Sequence, residues 1–165
     1  MTNNDIWKWS AIETANAIKN KTISATDSIE SSLKRLDDVN SSVNAVVISS
    51  KKEALIKAQQ IDIKIKNNEK VGSLVGVPIT IKENVDVKNQ STTNGMKAFK
   101  DVIAPENSPV VQNLIDEDAI IIGRTNTPEI SYRWFTDNPL RGLTKNPWSE
   151  DITPGGSSGG AAASV

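Results

Sequence analysis

The sequence predicts an α/β domain with a partly parallel β-sheet. Its 165 residues are 37% hydrophobic and 24% charged, the composition of an ordinary globular domain. In the second half, short β-branched runs alternate with helical patterns, as they do in parallel α/β sheets. The longest clear apolar runs, such as residues 119–122, are far too short to cross a bilayer.

Helical patterns dominate the first 70 residues. Ser10 and Ser24 are each followed three residues later by an acid. This is capping-box spacing, which predicts a helix over about residues 11–20 and a second helix after Ser24. The second helix carries an apolar face, formed by Ile29, Leu33 and Leu36. A β-branched run predicts a strand over residues 43–48, and a regular apolar stripe predicts a solvated amphipathic helix over residues 51–66.

The second half begins with a buried strand over residues 75–82 that ends at Lys82, followed by a loop over residues 89–99. Ser108 and Pro109 then provide an N-cap hydroxyl and a proline at the first helical position, which predicts a helix to about residue 117. The remaining predicted elements are a strand over residues 119–123, a helical turn from residue 127, an aromatic loop over residues 132–148 and a helix opening over residues 161–165.

Composition excludes several kinds of chemistry. The chain has no Cys and no His, so it offers no disulfide framework, no Ser-His-Asp triad and no Cys- or His-based metal site. The net charge of -1 provides no basic field for nucleic acid. The polar start, residues 1–5, is unlike a secretory signal, and we expect a cytoplasmic protein.

The Gly- and Ser-rich stretch at residues 155–160 is the most unusual feature of the chain. One interpretation is a flexible linker. A second is a turn whose N–H groups hold an anion, although the Walker A and dinucleotide-binding patterns are both missing. A third is a serine site in which Ser157 or Ser158 is held by the flanking glycines.

Lys82 is the second candidate functional residue. A lysine after an apolar strand is commonly a solvated strand end, but burial of its amine lowers its pKa and makes it a base. A Ser–Lys pair can then replace Ser–His. Glu83, Asp86 and Glu129 are candidate acids, but no paired-carboxylate spacing distinguishes them from surface residues. Four aromatic residues are expected to pack in the core or in loops, namely Tyr132, Trp134, Phe135 and Trp148.

Three motifs, taken together, resemble the amidase signature family. The stretch 76–84 (GVPITIKEN) resembles the lysine motif, and residues 146–148 (NPW) followed by 154–162 (PGGSSGGAA) resemble the Gly/Ser-rich signature. Residues 123–129 (GRTNTPE) resemble the short strand and turn between them. The resemblance runs from about residue 72 to residue 165, and the helices before it fit the N-terminal region of the family.

The resemblance implies an α/β amidase-signature fold, a mixed β-sheet core flanked by helices. It also implies a Ser–Ser–Lys mechanism, in which Lys82 is the neutral base and Ser157 the bridging serine on a cis peptide bond. Gly155, Gly156 and Gly159 would support the catalytic turn, and Ser158 would hydrogen-bond within the same network. No metal or organic cofactor is implied.

The third member of that triad, the nucleophile, would fall near position 181, so we expect it to be absent from these 165 residues. We therefore expect the N-terminal part of a single amidase domain, helical over about residues 1–70 and signature-bearing over about 71–165, and inactive alone. Exposed apolar faces should result, because the remainder of the domain would cover them.

The predicted function is hydrolysis of a small-molecule carboxylic amide to an acid and ammonia or an amine, through an acyl-enzyme, without membrane or direct nucleic-acid binding. One alternative is the A subunit of glutamyl-tRNA(Gln) amidotransferase, which would require partner subunits; residues 132–139 look more like general amidases. Another alternative is a non-catalytic fragment of a truncated gene. The sequence is compatible with a homo-oligomer under each of these interpretations.

Overall fold

The computed structural model describes residues 3–165, with side chains from Asp5 onward. Within these residues the α-helices are α1 (Ala11–Lys19), α2 (Ala25–Val43), α3 (Lys51–Lys66), α4 (Pro109–Asp116) and α5 (Gly159–Ala163). The strands are β1 (Val46–Ser49), β2 (Pro78–Lys82) and β3 (Ile120–Thr125). Short 3-10 helices occupy Asn3–Lys8, Lys97–Phe99 and Glu129–Ser131. No helix within residues 3–165 is long and apolar enough to span a membrane.

The helix starts predicted after Ser10 and Ser24 are confirmed. At α1, the Ser10 hydroxyl accepts the Glu13 N–H, and the Glu13 carboxylate accepts the Ser10 N–H at 2.8 Å. Ser24 and Asp27 make the same reciprocal pair before α2, at 2.8 and 2.9 Å. Helix α3 covers the predicted residues 51–66. The starts of α1 and α2 are predictable because each capping box closes over three residues and needs no distant partner.

Three local predictions needed correction. Val43 continues α2 and Asn44 takes a left-handed φ of 54°, so β1 begins only at Val46. The predicted strand over residues 75–82 begins at Pro78, because Gly76 (φ 68°) lies in a turn. The Ser108 hydroxyl caps nothing: it is buried and has no hydrogen-bond partner among the described residues.

The strands form a mixed sheet, which confirms the predicted sheet type, and their order is β1-β3-β2. Strand β1 pairs antiparallel with β3, with a register shift between Val46 and Ile48. Strand β2 runs parallel to β3, because Ile120 N donates to Val77 O at one end and Glu83 N donates to Thr125 O at the other. The central strand β3 therefore lies beside the end of β2 that carries Lys82.

The chain divides into two compact units, each built from separate stretches of sequence. The first unit comprises Met1–Asp38, Ser50–Ile79 and Gln112–Ile122. Its interior is an apolar cluster drawn from α1, α2, α3 and β3, and its fully buried members include Ile18, Ile29, Ile61 and Val75.

The second unit comprises Val39–Ser49, Thr80–Val111 and Gly123–Val165. Polar side chains make up much of its interior: Glu83, Thr93, Arg124, Thr125, Asn126, Thr127, Thr136, Asn138 and Thr144 are all at most 3% exposed. Side-chain hydrogen bonds of Asn126, Asn138 and Thr136 lie in this interior, so specific polar contacts stabilise the unit.

The aromatic residues of the 132–148 loop are exposed, which differs from the prediction that they pack in the core or in loops. Tyr132, Trp134 and Trp148 are 90%, 89% and 93% exposed, and Phe135 is 43% exposed. These side chains therefore lie outside the apolar core.

Candidate active site

Lys82 meets both serines of the Gly/Ser-rich turn. Its Nζ donates to Ser157 Oγ at 2.8 Å and to Ser158 Oγ at 3.1 Å. The lysine is the last residue of β2 and is half-buried, so it is not the freely solvated strand end that one interpretation predicted. Burial lowers the pKa of the Lys82 ammonium below its ordinary value, because the charged form loses hydration.

The Gly/Ser-rich turn is a packed structure and not a flexible linker. The peptide bond between Gly156 and Ser157 is cis, and Gly155 has a φ of 86°. A Cβ atom built on Gly156 would lie only 2.5 Å from Arg133 O and 2.6 Å from Phe135 N. Glycine is therefore required at position 156, because no side chain fits between the turn and this neighbouring backbone.

A single threonine fastens the turn at both ends. Thr136 is fully buried; its Oγ1 donates to Gly155 O at 3.0 Å and accepts the N–H of Gly159 at 3.0 Å. Gly160 is packed equally tightly, since a Cβ there would lie 2.5 Å from Asn126 N. Ser157 and Ser158 therefore lie on a short backbone segment whose two ends, Gly155 and Gly159, are held by hydrogen bonds to Thr136.

A buried amide holds the loop that supplies Thr136. The Asn126 side chain donates to Gly142 O and Thr144 Oγ1, both at 3.0 Å, and accepts from Asn138 Nδ2 at 2.8 Å. These bonds connect the end of β3 with residues up to 18 positions later in the chain. The interior polar network therefore positions the turn that faces Lys82.

The cluster is suited to moving a proton. A half-buried amine with a lowered pKa can accept a proton from the hydroxyl that it contacts, and that hydroxyl can pass on a proton from another donor. Burial is the cause of the lowered pKa of Lys82, and no carboxylate of the described residues contributes to that shift. No cluster of three or more His, Cys, Asp or Glu that could hold a metal ion occurs within residues 3–165.

Of the three acids considered in the sequence, Glu83 differs from the surface position expected for it. Its side chain is fully buried and paired with Arg141, whose Nη2 lies 2.6 Å and Nε 3.1 Å from Oε1. Asp86 is exposed, and Glu129 makes a partly exposed ion pair with Arg133 at 3.7 Å. Neither of these two carboxylates approaches the Lys82–Ser157 pair by hydrogen bond or salt bridge in the described structure.

Sequence reasoning also missed Arg124 as a residue that contacts the lysine segment. Its side chain is fully buried, and its Nη2 donates to the carbonyl oxygens of Lys82 and Val85. One signal for this role was available in the sequence. Arg124 directly continues an otherwise apolar strand, and a charged side chain is rarely buried in such a position without defined partners.

Comparison with known proteins gives the same family that the motifs resemble. The family model described as Amidase matches residues 27–165. Indoleacetamide hydrolase of Bradyrhizobium diazoefficiens is 54% identical over 160 residues, which are 97% of this chain and 30% of that protein. An A subunit of glutamyl-tRNA(Gln) amidotransferase from Clostridium acetobutylicum is 35% identical over 161 residues, which are 98% of this chain and 33% of that protein.

Solved structures agree in fold. A bacterial aryl acylamidase of the amidase signature family superimposes with a TM-score of 0.90 at 36% identity, covering 94% of this chain and 32% of that one. The chain spans about a third of the length of these relatives. With the family model covering most of the chain and the fold matching, the chain belongs to the amidase family.

Proposed function

We propose that this chain supplies the base and the relay serine of an amide hydrolase. Lys82 accepts a proton from Ser157, and Ser157 takes a proton from a nucleophilic serine that attacks the amide carbonyl. The C–N bond then breaks, the proton returns to the leaving ammonia or amine, and an acyl-enzyme ester remains. Water hydrolyses that ester by the same relay, which releases the carboxylic acid.

The observation that carries this proposal is the 2.8 Å hydrogen bond between Lys82 Nζ and Ser157 Oγ. It supports a relay because general-base transfer requires heavy atoms about 2.6–3.2 Å apart. The lowered pKa of Lys82 supports it further, since only the neutral amine can accept the proton. We place the nucleophile and the oxyanion hole in the part of the relatives' length that these 165 residues do not span.

For the substrate we propose a small primary amide of an arylacetic acid. The support is the 54% identity to an indoleacetamide hydrolase over nearly the whole chain. Glutaminase activity within an amidotransferase is the second candidate, supported by 35% identity to an A subunit of that enzyme. Glutamine hydrolysis that depends on a copurifying partner protein would favour this second candidate.

A chimera tests the proposal directly. The 165 residues replace the matching segment of the Bradyrhizobium indoleacetamide hydrolase, and ammonia release from indole-3-acetamide is measured. We expect turnover in the chimera and a loss of kcat of about 10²–10⁴-fold on Lys82→Ala or Ser157→Ala. Lys88→Ala, at an exposed lysine, is the matched control and should retain turnover. Near-normal turnover in Lys82→Ala would return this lysine to a structural role.

A labelling experiment on the 165-residue chain alone separates relay from nucleophile. A serine-directed fluorophosphonate probe should leave this chain unlabelled and should label the chimera outside the grafted segment. Labelling of Ser157 in the isolated chain would show that this serine is itself the nucleophile. The absence of any label in an active chimera would contradict the acyl-enzyme mechanism.

A further inference from the structure

Arg124 holds the backbone turn that follows the proposed catalytic lysine. Its Nη2 donates to Lys82 O at 3.3 Å and to Val85 O at 2.5 Å. These two carbonyls lie at the ends of one tight turn, in which Val85 N also donates to Lys82 O at 3.0 Å. The other terminal nitrogen, Nη1, donates to Gln90 Oε1 and Ser91 O, both at 3.3 Å.

The peptide unit that joins Lys82 to Glu83 is therefore fixed on both sides. Its carbonyl accepts from the Arg124 side chain, and its N–H donates to Thr125 O at 3.0 Å. Arg124 and Thr125 are adjacent on β3, so the central strand holds both ends of this peptide. The position at which the Lys82 side chain leaves the backbone depends directly on these two contacts.

Burial of this guanidinium is not explained by an ion pair. The Arg124 side chain is 0% exposed, yet no salt bridge in the described part of the chain includes it, and its hydrogen bonds go to neutral oxygens. Desolvation lowers the pKa of Arg124, and the charges of Glu83 and Asp86 oppose that shift while Arg141 adds to it. A buried charge of this kind is costly. The planar guanidinium can, however, donate hydrogen bonds to several carbonyl oxygens at once in a fixed geometry.

We propose that Arg124 is a positioning residue for Lys82: it clamps the 82–85 turn so that the amine stays aimed at Ser157 and partly shielded from water. The inference rests on the proposed function, because it assigns Arg124 a part in the same relay. Displacement of a catalytic group by about 1 Å can cost about 10²-fold in rate, so a clamp on its backbone affects turnover more than substrate binding.

The first test measures the lysine itself, without any need for activity. The 165-residue chain is labelled with ¹³C-lysine, the Lys82 side-chain signal is assigned through Lys82→Arg, and its pKa is titrated by NMR. In Arg124→Met the pKa of Lys82 should rise toward the ordinary lysine value, because a released amine regains hydration and burial is the cause of its present shift. Ile61→Ala is the control, because it creates a cavity in the apolar core of the first unit. It should leave the pKa of Lys82 unchanged.

The second test uses the active chimera. Arg124→Met should lower kcat by about 10–100-fold while KM changes less than about twofold, with the acidic limb of the pH profile moved to higher pH. Should Arg124→Met fail to fold, Arg124→Gln retains an amide donor and takes its place in both tests. A folded Arg124 variant with an unchanged Lys82 pKa and an unchanged kcat would overturn the proposal. Failure of both Arg124 variants to fold would overturn it as well, because Arg124 would then be required for folding of the domain.

The two proposals fail in different ways. Normal turnover in the Lys82→Ala chimera would refute the relay while the NMR titration still reported whether Arg124 positions the lysine. An active, Lys82-dependent chimera with no effect of Arg124→Met would retain the proposed function and remove the positioning role.

Discussion

Replacing Arg141 by methionine would leave the Glu83 carboxylate buried without its ion pair. The Glu83 side chain is 0% exposed, whereas the Arg141 side chain is 23% exposed. Arg141 donates to Glu83 Oε1 through Nη2 at 2.6 Å and through Nε at 3.1 Å. A third bond runs from Nε to Glu83 Oε2 at 3.4 Å. The methionine side chain fills part of the same space, so the principal change is the loss of these three charged hydrogen bonds.

The loss of stability is large because the carboxylate of the pair is fully buried and would remain in the interior without its partner. A charge-assisted hydrogen bond contributes about 1.5–3 kcal/mol, and removal of one partner of a buried ion pair costs about 3–5 kcal/mol, because the remaining charge is left desolvated. We expect Arg141→Met to lower the free energy of unfolding by about 3–5 kcal/mol. The double variant Glu83→Gln with Arg141→Met should lose less than Arg141→Met alone, because the glutamine amide carries no charge into the interior.

Urea unfolding of the 165-residue chain, followed by circular dichroism, measures these differences. Glu150→Gln is the matched control: it breaks the ion pair with Lys145, in which both side chains are largely exposed, and should leave the midpoint nearly unchanged. A loss below about 1 kcal/mol in Arg141→Met would refute the reasoning, since an unpaired buried carboxylate destabilises a protein by more than that. A double variant less stable than Arg141→Met would refute it as well.

Two further predictions concern the Gly/Ser-rich turn and the dependence on pH. Gly156→Ala should destabilise the protein by about 1–3 kcal/mol and abolish turnover of the chimera, because the added Cβ would lie 2.5 Å from Arg133 O. Urea unfolding measures the loss of stability, and ammonia release measures the loss of turnover. Full activity of the variant would contradict the tight packing of the turn. The kcat/KM of the chimera should rise with pH through an ionisation below the ordinary lysine pKa, because burial lowers the pKa of Lys82 and only its neutral form is a base. The same lowered pKa means that the folded chain binds this proton less tightly than the unfolded chain. The Lys82 contribution to stability should therefore increase as pH rises from the folded value toward the ordinary one, and Lys82→Met should remove that increase in unfolding measurements.

The parts of the site that sequence could predict are those carried by local motifs. Lys82 follows an apolar strand, and Ser157 lies among closely spaced glycines, so each could be identified within a few residues of chain. Their meeting at 2.8 Å, across 75 residues, was expected only from the resemblance to a family. No composition or periodicity determines a distance of that kind, because it depends on how β2 and the turn pack in three dimensions.

The partners of the buried charges could not be predicted. Glu83 and Arg141 are 58 residues apart, and Arg124 reaches the carbonyl oxygens of residues 42 and 39 positions earlier in the chain. Sequence alone placed Glu83 among undistinguished surface acids. Its burial results from the pairing of β2 with β3 and from the loop that carries Arg141 over it, neither of which has a local signature.

Local sequence was sufficient to specify the starts of α1 and α2, because a cap such as Ser10 with Glu13 is satisfied within one turn of backbone. Composition was sufficient to exclude imidazole and thiolate chemistry, since the chain has neither His nor Cys. Three-dimensional packing was needed to place Lys82 half-buried against two hydroxyls, to bring Arg124 onto its backbone and to leave the aromatic loop exposed. Burial and long-range hydrogen bonds are properties of packed surfaces, and those surfaces form only when distant segments of the chain meet.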